Sequence, residues 1–219
     1  ISRFHTTFAF GMNFFLVSAL LFTVCYCPAV AQRIDTFTPD YQTHPKEQWE
    51  TGFSDFQFKV YKEDGHVLPY RLYVPSHIVY GKKYPLVVFM HGYGERGTDD
   101  RKQFFRFRTF PFWKKYPCFV LAPQCPENDS NGEATWVKSN FGVPSSQMKK
   151  QPAWPLALAM DLLDMVISRS AIDRQRIYVT GLSMGAFATW ELLERKPGLF
   201  AAAMPLSGGG DTSLAFRFS

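Results

Sequence analysis

One serine in this chain has glycine two positions before it and two after it, in Gly181-Leu182-Ser183-Met184-Gly185. A serine hydroxyl becomes a useful nucleophile when it is held exposed and when donors wait for the charge that develops on the attacked carbonyl oxygen. The flanking residues can supply both conditions. Ile177, Tyr178 and Val179 form a β-branched and aromatic run suited to a buried strand, and Ala186 to Leu193 are good helix formers. Between them the chain must turn sharply. Gly181 and Gly185 stand where the backbones of a strand-to-helix elbow come too close for side chains. The backbone N–H of Met184 then falls at a helix N-terminus, where donors have no internal partner.

A second stretch carries complementary chemistry. Tyr84-Pro-Leu-Val-Val-Phe-Met90, a continuous apolar run, leads directly into His91-Gly-Tyr-Gly-Glu-Arg-Gly97. Gly92 and Gly94 allow this loop to approach a ligand with its backbone, so the N–H of Tyr93, together with that of Gly94, can face the Met184 donor across an oxyanion. A phosphate-cradling loop is the poorer reading, because no Lys-Ser/Thr follows the glycines. His91 at the end of a strand reads as an orienting residue for the loop and not as a general base.

The elements that must position these motifs alternate along the chain. Phe53 to Lys62 and Leu68 to Val74 read as an antiparallel hairpin turning at Asp64-Gly65. Tyr84 to Met90 follows as a strand buried on both faces, and Cys118 to Ala122 as a fourth strand. Trp154 to Ile167 has helical spacing, with Leu158, Leu162 and Met165 on its apolar face. The serine-bearing strand, Arg176 to Thr180, and a sixth strand, Ala201 to Leu206, complete the series. Strand-helix alternation after the hairpin predicts an α/β domain with a mostly parallel sheet and helices on both faces.

The N-terminal part reads differently. From Thr6 to Gln32 there is no acidic or basic residue, and the apolar segment Phe14 to Cys25 has the length of a secretory core. Pro28-Ala-Val-Ala31 offers a small-x-small cleavage site, so residues 1–31 read as upstream residues from before Met12 followed by a signal peptide. An uncleaved membrane anchor is the rival. Residues 32–52 then form a linker and 53–219 one domain, about 190 residues remaining after cleavage. Export removes Cys25 and Cys27. Cys118 and Cys125 flank an extended run about 23 Å long, too far apart for a disulfide, so two buried thiols are expected.

The net charge of +5 is modest. Its basic character is concentrated in Arg101 to Lys115, where aromatics alternate with cations. We read this as a helix and loop with phenylalanines inward and solvated charges outward, and not as a nucleic-acid site. Trp136 and Phe141, after the fourth strand, are candidates for stacking on a sugar or aryl ring and equally for packing against the missing lobe of the domain.

Taken together, His91 to Gly97, Phe119-Val-Leu-Ala-Pro-Gln-Cys-Pro126, Arg176 to Gly185 and Gly208-Gly-Gly-Asp211 resemble the α/β-hydrolase superfamily. More narrowly the chain is similar to secreted bacterial esterases often labelled "predicted peptidase", allied to polyhydroxybutyrate depolymerases and feruloyl or acetylxylan esterases. The resemblance spans about Phe53 to Asp211. It implies an α/β-hydrolase fold with Ser183 as nucleophile, Met184, Tyr93 and Gly94 as oxyanion donors, and His91, Gly92, Gly181 and Gly185 as supporting residues. It further implies hydrolysis through an acyl-enzyme without metal or organic cofactor. Expected substrates are small-molecule or polysaccharide-linked esters; a peptidase of the prolyl-oligopeptidase-like type and a non-catalytic binding protein are the alternatives.

The chain departs from the family pattern in one respect. Such hydrolases order their triad Ser, Asp or Glu, His, yet the five histidines, His5, His44, His66, His77 and His91, all precede Ser183. Full domains of this type have eight strands, with the acid after the seventh and the histidine after the eighth. The expectation is therefore a domain incomplete at its C-terminus, with the last two strands missing, the sixth left as an open edge, and Asp211 in a structural role.

Overall fold

A computed structural model describes residues 55–104, 111–129, 132–139, 141 and 147–218. The signal peptide and linker expected over 1–52 lie outside them. The hairpin forms as β1 (Phe56–Glu63) and β2 (His66–Tyr73), with Glu63 opposite His66. Its two connecting residues, Asp64 and Gly65, both have positive φ, 49° and 76°, as the tight turn between twisted strands demands.

Strands β3 (Tyr84–Met90), β4 (Phe119–Pro123), β5 (Ile172–Leu182) and β6 (Ala202–Leu206) complete one sheet in the order β1-β2-β4-β3-β5-β6. The hairpin joins antiparallel to β4, and β4, β3, β5 and β6 run parallel to one another. Beside the sheet, Asn128–Asp129 pairs with Gly132–Glu133 in a short ladder. From β3 the chain passes to β4 on one side and then to β5 on the other. That reversal opens a crevice at the carboxyl ends of β3 and β5, the position where open α/β sheets take their ligands.

Helix α1 (Trp154–Arg169) starts with Pro155 in its first turn, where a missing N–H costs nothing. Helix α2 (Met184–Arg195) springs directly from the end of β5. Both helices bury their apolar sides in one cluster, in which Leu156, Leu162 and Leu163 of α1 and Met184, Ala188 and Leu192 of α2 share space with Leu86, Val88 and Met90 of the sheet. The expected covering of both faces by helices takes a different form. The second cluster packs Val87, Phe89 and Val120 against Phe104 and Trp113, which sit on single 3-10 turns, Lys102–Phe104 and Phe112–Lys114. Large aromatic side chains fill this side without a long helix among the described residues. Phe104 and Trp113 point inward while Lys102, Lys114 and Lys115 are exposed, which is the amphipathic arrangement expected for 101–115. Residues 105–110 lie outside the description.

Strand β5 is longer than its sequence suggests. Ile172 pairs with Tyr84 across an irregularity in the ladder, so the polar run Asp173 to Arg176 is carried inside the strand. Among the described residues strand β6 pairs with β5 alone and exposes Met204 (49%) and Leu206 (44%), an open apolar edge of the kind that favours further pairing. Cys118 and Cys125 are free and buried, and burial pushes the Cys118 thiol up to about 12. Among the described residues no helix is long and apolar enough to cross a membrane.

Candidate active site

Ser183 sits between β5 and α2 with φ 55° and ψ −119°, a left-handed conformation that costs an L-residue of its kind on the order of 1–3 kcal/mol. It is exposed. The strain is held from both sides: the Ser183 N–H donates to the Leu206 carbonyl at 2.8 Å, and the Ser183 carbonyl accepts from Ala186 (2.8 Å) and Phe187 (3.2 Å). Close packing explains the two glycines. A methyl group on Gly185 would lie 1.9 Å from the Met90 carbonyl oxygen, and one on Gly181 would lie 2.2 Å from that of Gly185. The elbow is therefore pressed directly against the end of β3. Met184 buries its side chain in the core and presents only its backbone, in the first turn of α2 where N–H groups lack intrahelical acceptors.

Across from the elbow, Tyr93–Glu95 forms one turn of 3-10 helix with Gly92 as its N-cap. A methyl group on Gly92 would come within 3.8 Å of Ser183 Cβ, so loop and serine are immediate neighbours. The N–H groups of Gly92, Glu95, Arg96 and Gly97 are all engaged. Gly92 N–H donates to Glu95 Oε2 at 2.7 Å, and the Gly92 carbonyl accepts from Glu95 N–H at 3.2 Å. The Tyr93 carbonyl accepts from Arg96 Nε at 3.0 Å, the Glu95 carbonyl from Gln124 Nε2 at 3.2 Å, and Gly97 N–H donates to the Cys125 carbonyl at 2.9 Å. The N–H groups of Tyr93 and Gly94 donate to no backbone or side-chain acceptor among the described residues.

His91 is fully buried and both ring nitrogens are engaged. Nδ1 lies 2.7 Å from the Gly92 carbonyl, which can only accept, and Nε2 lies 2.9 Å from Cys125 N–H, which can only donate. The ring is thus the neutral Nδ1–H tautomer. Burial is the main cause that pulls its pKa down to about 4, and the Arg96 charge acts in the same direction. A ring tied at both nitrogens ties the loop to β4 and leaves no lone pair for Ser183. Among the described residues nothing bonds to Ser183 Oγ.

Trp136 does not offer a stacking surface. It is fully buried, and its indole N–H donates to the His91 carbonyl at 3.3 Å. Phe141 is exposed and meets Tyr93 and Phe187 edge to face, with ring centroids 6.5 and 5.2 Å apart. Tyr93 itself is 42% exposed; the Arg96 guanidinium covers its other face at 3.5 Å and its hydroxyl bonds to Glu133. An aromatic wall therefore stands beside the serine.

Asp211 caps the last 3-10 turn. Its Oδ1 accepts from Ser213 N–H and hydroxyl, and its Oδ2 from Met148 N–H. These bonds, that of the Ser213 hydroxyl foremost, hold its carboxyl below the usual range. Ahead of it, Gly208 and Gly210 let the chain lie against α2, where methyl groups would meet Ala186 Cβ at 2.5 Å and Trp190 Cβ at 2.6 Å. Among the described residues no cluster of His, Cys, Asp and Glu is arranged to hold a metal ion.

The residues that fix the loop, Glu95, Arg96 and Gln124, do not emerge from motif reasoning. Glu95 had a legible signal, since an acidic residue three positions after an N-cap can accept the N-cap N–H, the half of a capping box that a glycine N-cap allows. Gln124 had none: its contacts to Glu95, Asp99 and Asp100 span 24 to 29 positions.

The family comparison agrees with this architecture. Residues 65–216 match the profile of the Esterase family, described as "Putative esterase". A solved thermostable esterase superposes with TM-score 0.65 at 39% identity, covering 76% of this chain and 44% of its own. S-formylglutathione hydrolase (FrmB) from Staphylococcus aureus shares the fold with TM-score 0.50 at 15% identity, over 70% of this chain and 57% of its own. A 48-residue segment is 44% identical to poly(3-hydroxyalkanoate) depolymerase C of Paucimonas lemoignei, which is 22% of this chain and 12% of that protein. The chain thus spans less than half of the thermostable esterase and a small part of the depolymerase. With a family match over most of its length and the α/β-hydrolase sheet around an elbow serine, this chain belongs to the Esterase family of the α/β-hydrolase superfamily.

Proposed function

We propose that the protein is an exported serine esterase in which Ser183 is the nucleophile and the N–H groups of Met184, Tyr93 and Gly94 form the oxyanion hole. The observation that carries this reading is the strained, exposed Ser183 beside a loop whose Tyr93 and Gly94 N–H groups have no acceptor among the described residues. Ser183 Oγ adds to the ester carbonyl and gives its proton to a base. The carbonyl oxygen takes the negative charge into the hole, the alcohol departs with a proton, and water then releases the acid from the serine ester. A serine in this setting acts without the base only weakly, so the reading includes a triad histidine and acid on two strands following residue 219. The open edge of β6 and the partial coverage of the thermostable esterase support that extension. On this reading residues 53–219 belong to the α/β-hydrolase domain, 32–52 form a linker, and 1–31 are upstream residues and a signal peptide.

The substrates we propose are acyl esters, carbohydrate-linked ones first, with the Tyr93, Phe141 and Phe187 wall against the acyl or alcohol group. The test is a rapid-mixing experiment on the full-length gene product with 4-nitrophenyl acetate, followed by a screen of acetylated and feruloylated sugars. A burst of 4-nitrophenol equal to the enzyme concentration supports an acyl-enzyme. One observation favours a second reading: nothing bonds to Ser183 Oγ among the described residues. On that reading the protein binds esters without cleaving them, and the full-length product shows ester affinity without a burst.

A further inference from the structure

A glycine-rich loop leaving a strand could turn several of its N–H groups toward a ligand, and which ones it offers depends on what holds the others. In this loop a single side chain makes that selection. Glu95 is largely buried, at 8% exposure. Its Oε2 takes the Gly92 N–H at 2.7 Å, while its own N–H donates to the Gly92 carbonyl at 3.2 Å. This reciprocal pair closes the 3-10 turn across Tyr93 and Gly94, whose N–H groups have no acceptor among the described residues. The residue that Glu95 holds is itself beside the serine, because the methyl position of Gly92 is 3.8 Å from Ser183 Cβ.

We propose that Glu95 is a positioning residue for the oxyanion loop: its carboxylate withdraws the Gly92 N–H and so aims those of Tyr93 and Gly94 at the developing oxyanion. The inference rests on the reading of those two groups as oxyanion donors given above. With the acceptor removed, glycines at 92 and 94 leave the turn two freely rotating positions, and the donors lose their alignment. Loss of one oxyanion donor costs about 10² to 10³ in kcat, and a displacement of about 1 Å costs on the order of 10². Misalignment without deletion therefore lowers kcat about 10- to 100-fold and leaves KM nearly unchanged, since the donors engage the transition state more than the substrate.

Reach and acceptor are what the role needs; charge is not. Glu95→Gln keeps an acceptor oxygen at the same reach, Glu95→Asp keeps the charge one methylene short, and Glu95→Ala keeps neither. Steady-state hydrolysis of 4-nitrophenyl acetate by the full-length gene product and these variants tests the order. The expected result is kcat within about threefold of the parent for Gln and a 10- to 100-fold loss for Asp and Ala, with KM within about threefold throughout. Amide hydrogen exchange over residues 91–97 rises in Asp and Ala and stays at the parent level in Gln. If Ala does not fold, the comparison of Gln with Asp decides alone. Equal kcat in all variants overturns the inference; so does an Asp variant as active as Gln, which would show that reach does not matter, and so does an active Asp variant beside an impaired Gln, which would assign the effect to charge. A parent protein without Ser183-dependent hydrolysis removes the oxyanion reading and this inference together, whereas an active parent with an unaffected Glu95→Ala removes this inference only.

Discussion

Replacing Gly185 by alanine puts the elbow geometry under direct load. The new methyl carbon would sit 1.9 Å from the Met90 carbonyl oxygen, 2.5 Å from the Met90 carbonyl carbon and 2.7 Å from the His91 carbonyl oxygen. All three atoms are backbone, so no side-chain rotation relieves the clash. To bring the first contact to 3.0 Å the helix start must retreat from β3 by about 1.1 Å. Overpacking of this kind costs about 1–3 kcal/mol, which lowers Tm by about 2–12 °C in a domain of this size. The same movement carries Ser183 and the Met184 N–H away from the loop at Tyr93, and a shift of about 1 Å reduces reactivity on the order of 10². Calorimetry and the rate of fluorophosphonate capture, measured on the full-length protein, read the two effects separately. Gly94→Ala is the control for stability, because a methyl group there meets nothing within 4 Å and is expected to change it by no more than about 0.5 kcal/mol. A Gly185→Ala protein that melts with the parent and is captured at the parent rate would refute the contact on which the argument depends.

Other perturbations separate the roles of neighbouring residues. Ser183→Gly removes the left-handed strain together with the hydroxyl, so the variant is expected to gain about 1 kcal/mol in a urea titration while losing all capture. Asp211→Ala is expected to cost about 1–2 kcal/mol as a lost cap and to keep kcat within a few-fold; a loss near 10⁴ would instead mark it as a triad acid. For His91 the native state favours the neutral ring, since its pKa falls from 6.5 to about 4 while the unfolded chain takes up a proton near 6.5. Its contribution to stability is therefore complete above pH 6.5 and is lost as pH falls toward about 4, on the order of 3 kcal/mol in total. Urea midpoints at pH 7 and 4.5 are expected to converge in His91→Asn relative to the parent, and an unchanged difference would contradict the buried neutral ring.

The features legible in the sequence are those with short range. The Asp64-Gly65 turn, the apolar run of β3 and the glycine pair around Ser183 each leave a local pattern, and each forms the element that the pattern predicts. Long-range contacts leave no such pattern. Trp136 looks like any exposed loop aromatic until the fold brings the His91 carbonyl to its indole nitrogen, 45 positions away. The covering of the second sheet face by Phe104 and Trp113 on isolated turns was equally hidden, because a few large side chains fill a layer that helical periodicity would assign to a helix. The polar residues Asp173 to Arg176 masked the first half of β5, whose place in the sheet is fixed by Ile172 pairing with Tyr84. At the serine, residue type and spacing marked the elbow, while the fastening of the opposite loop by Glu95, Arg96 and Gln124 follows only from tertiary geometry.

Intact-mass analysis of the full-length gene product after treatment with a fluorophosphonate tests the central claim most directly. The account predicts a single adduct, located at Ser183 by peptide mapping and absent from Ser183→Ala. No adduct on the parent protein, or an adduct that persists in Ser183→Ala, would contradict it.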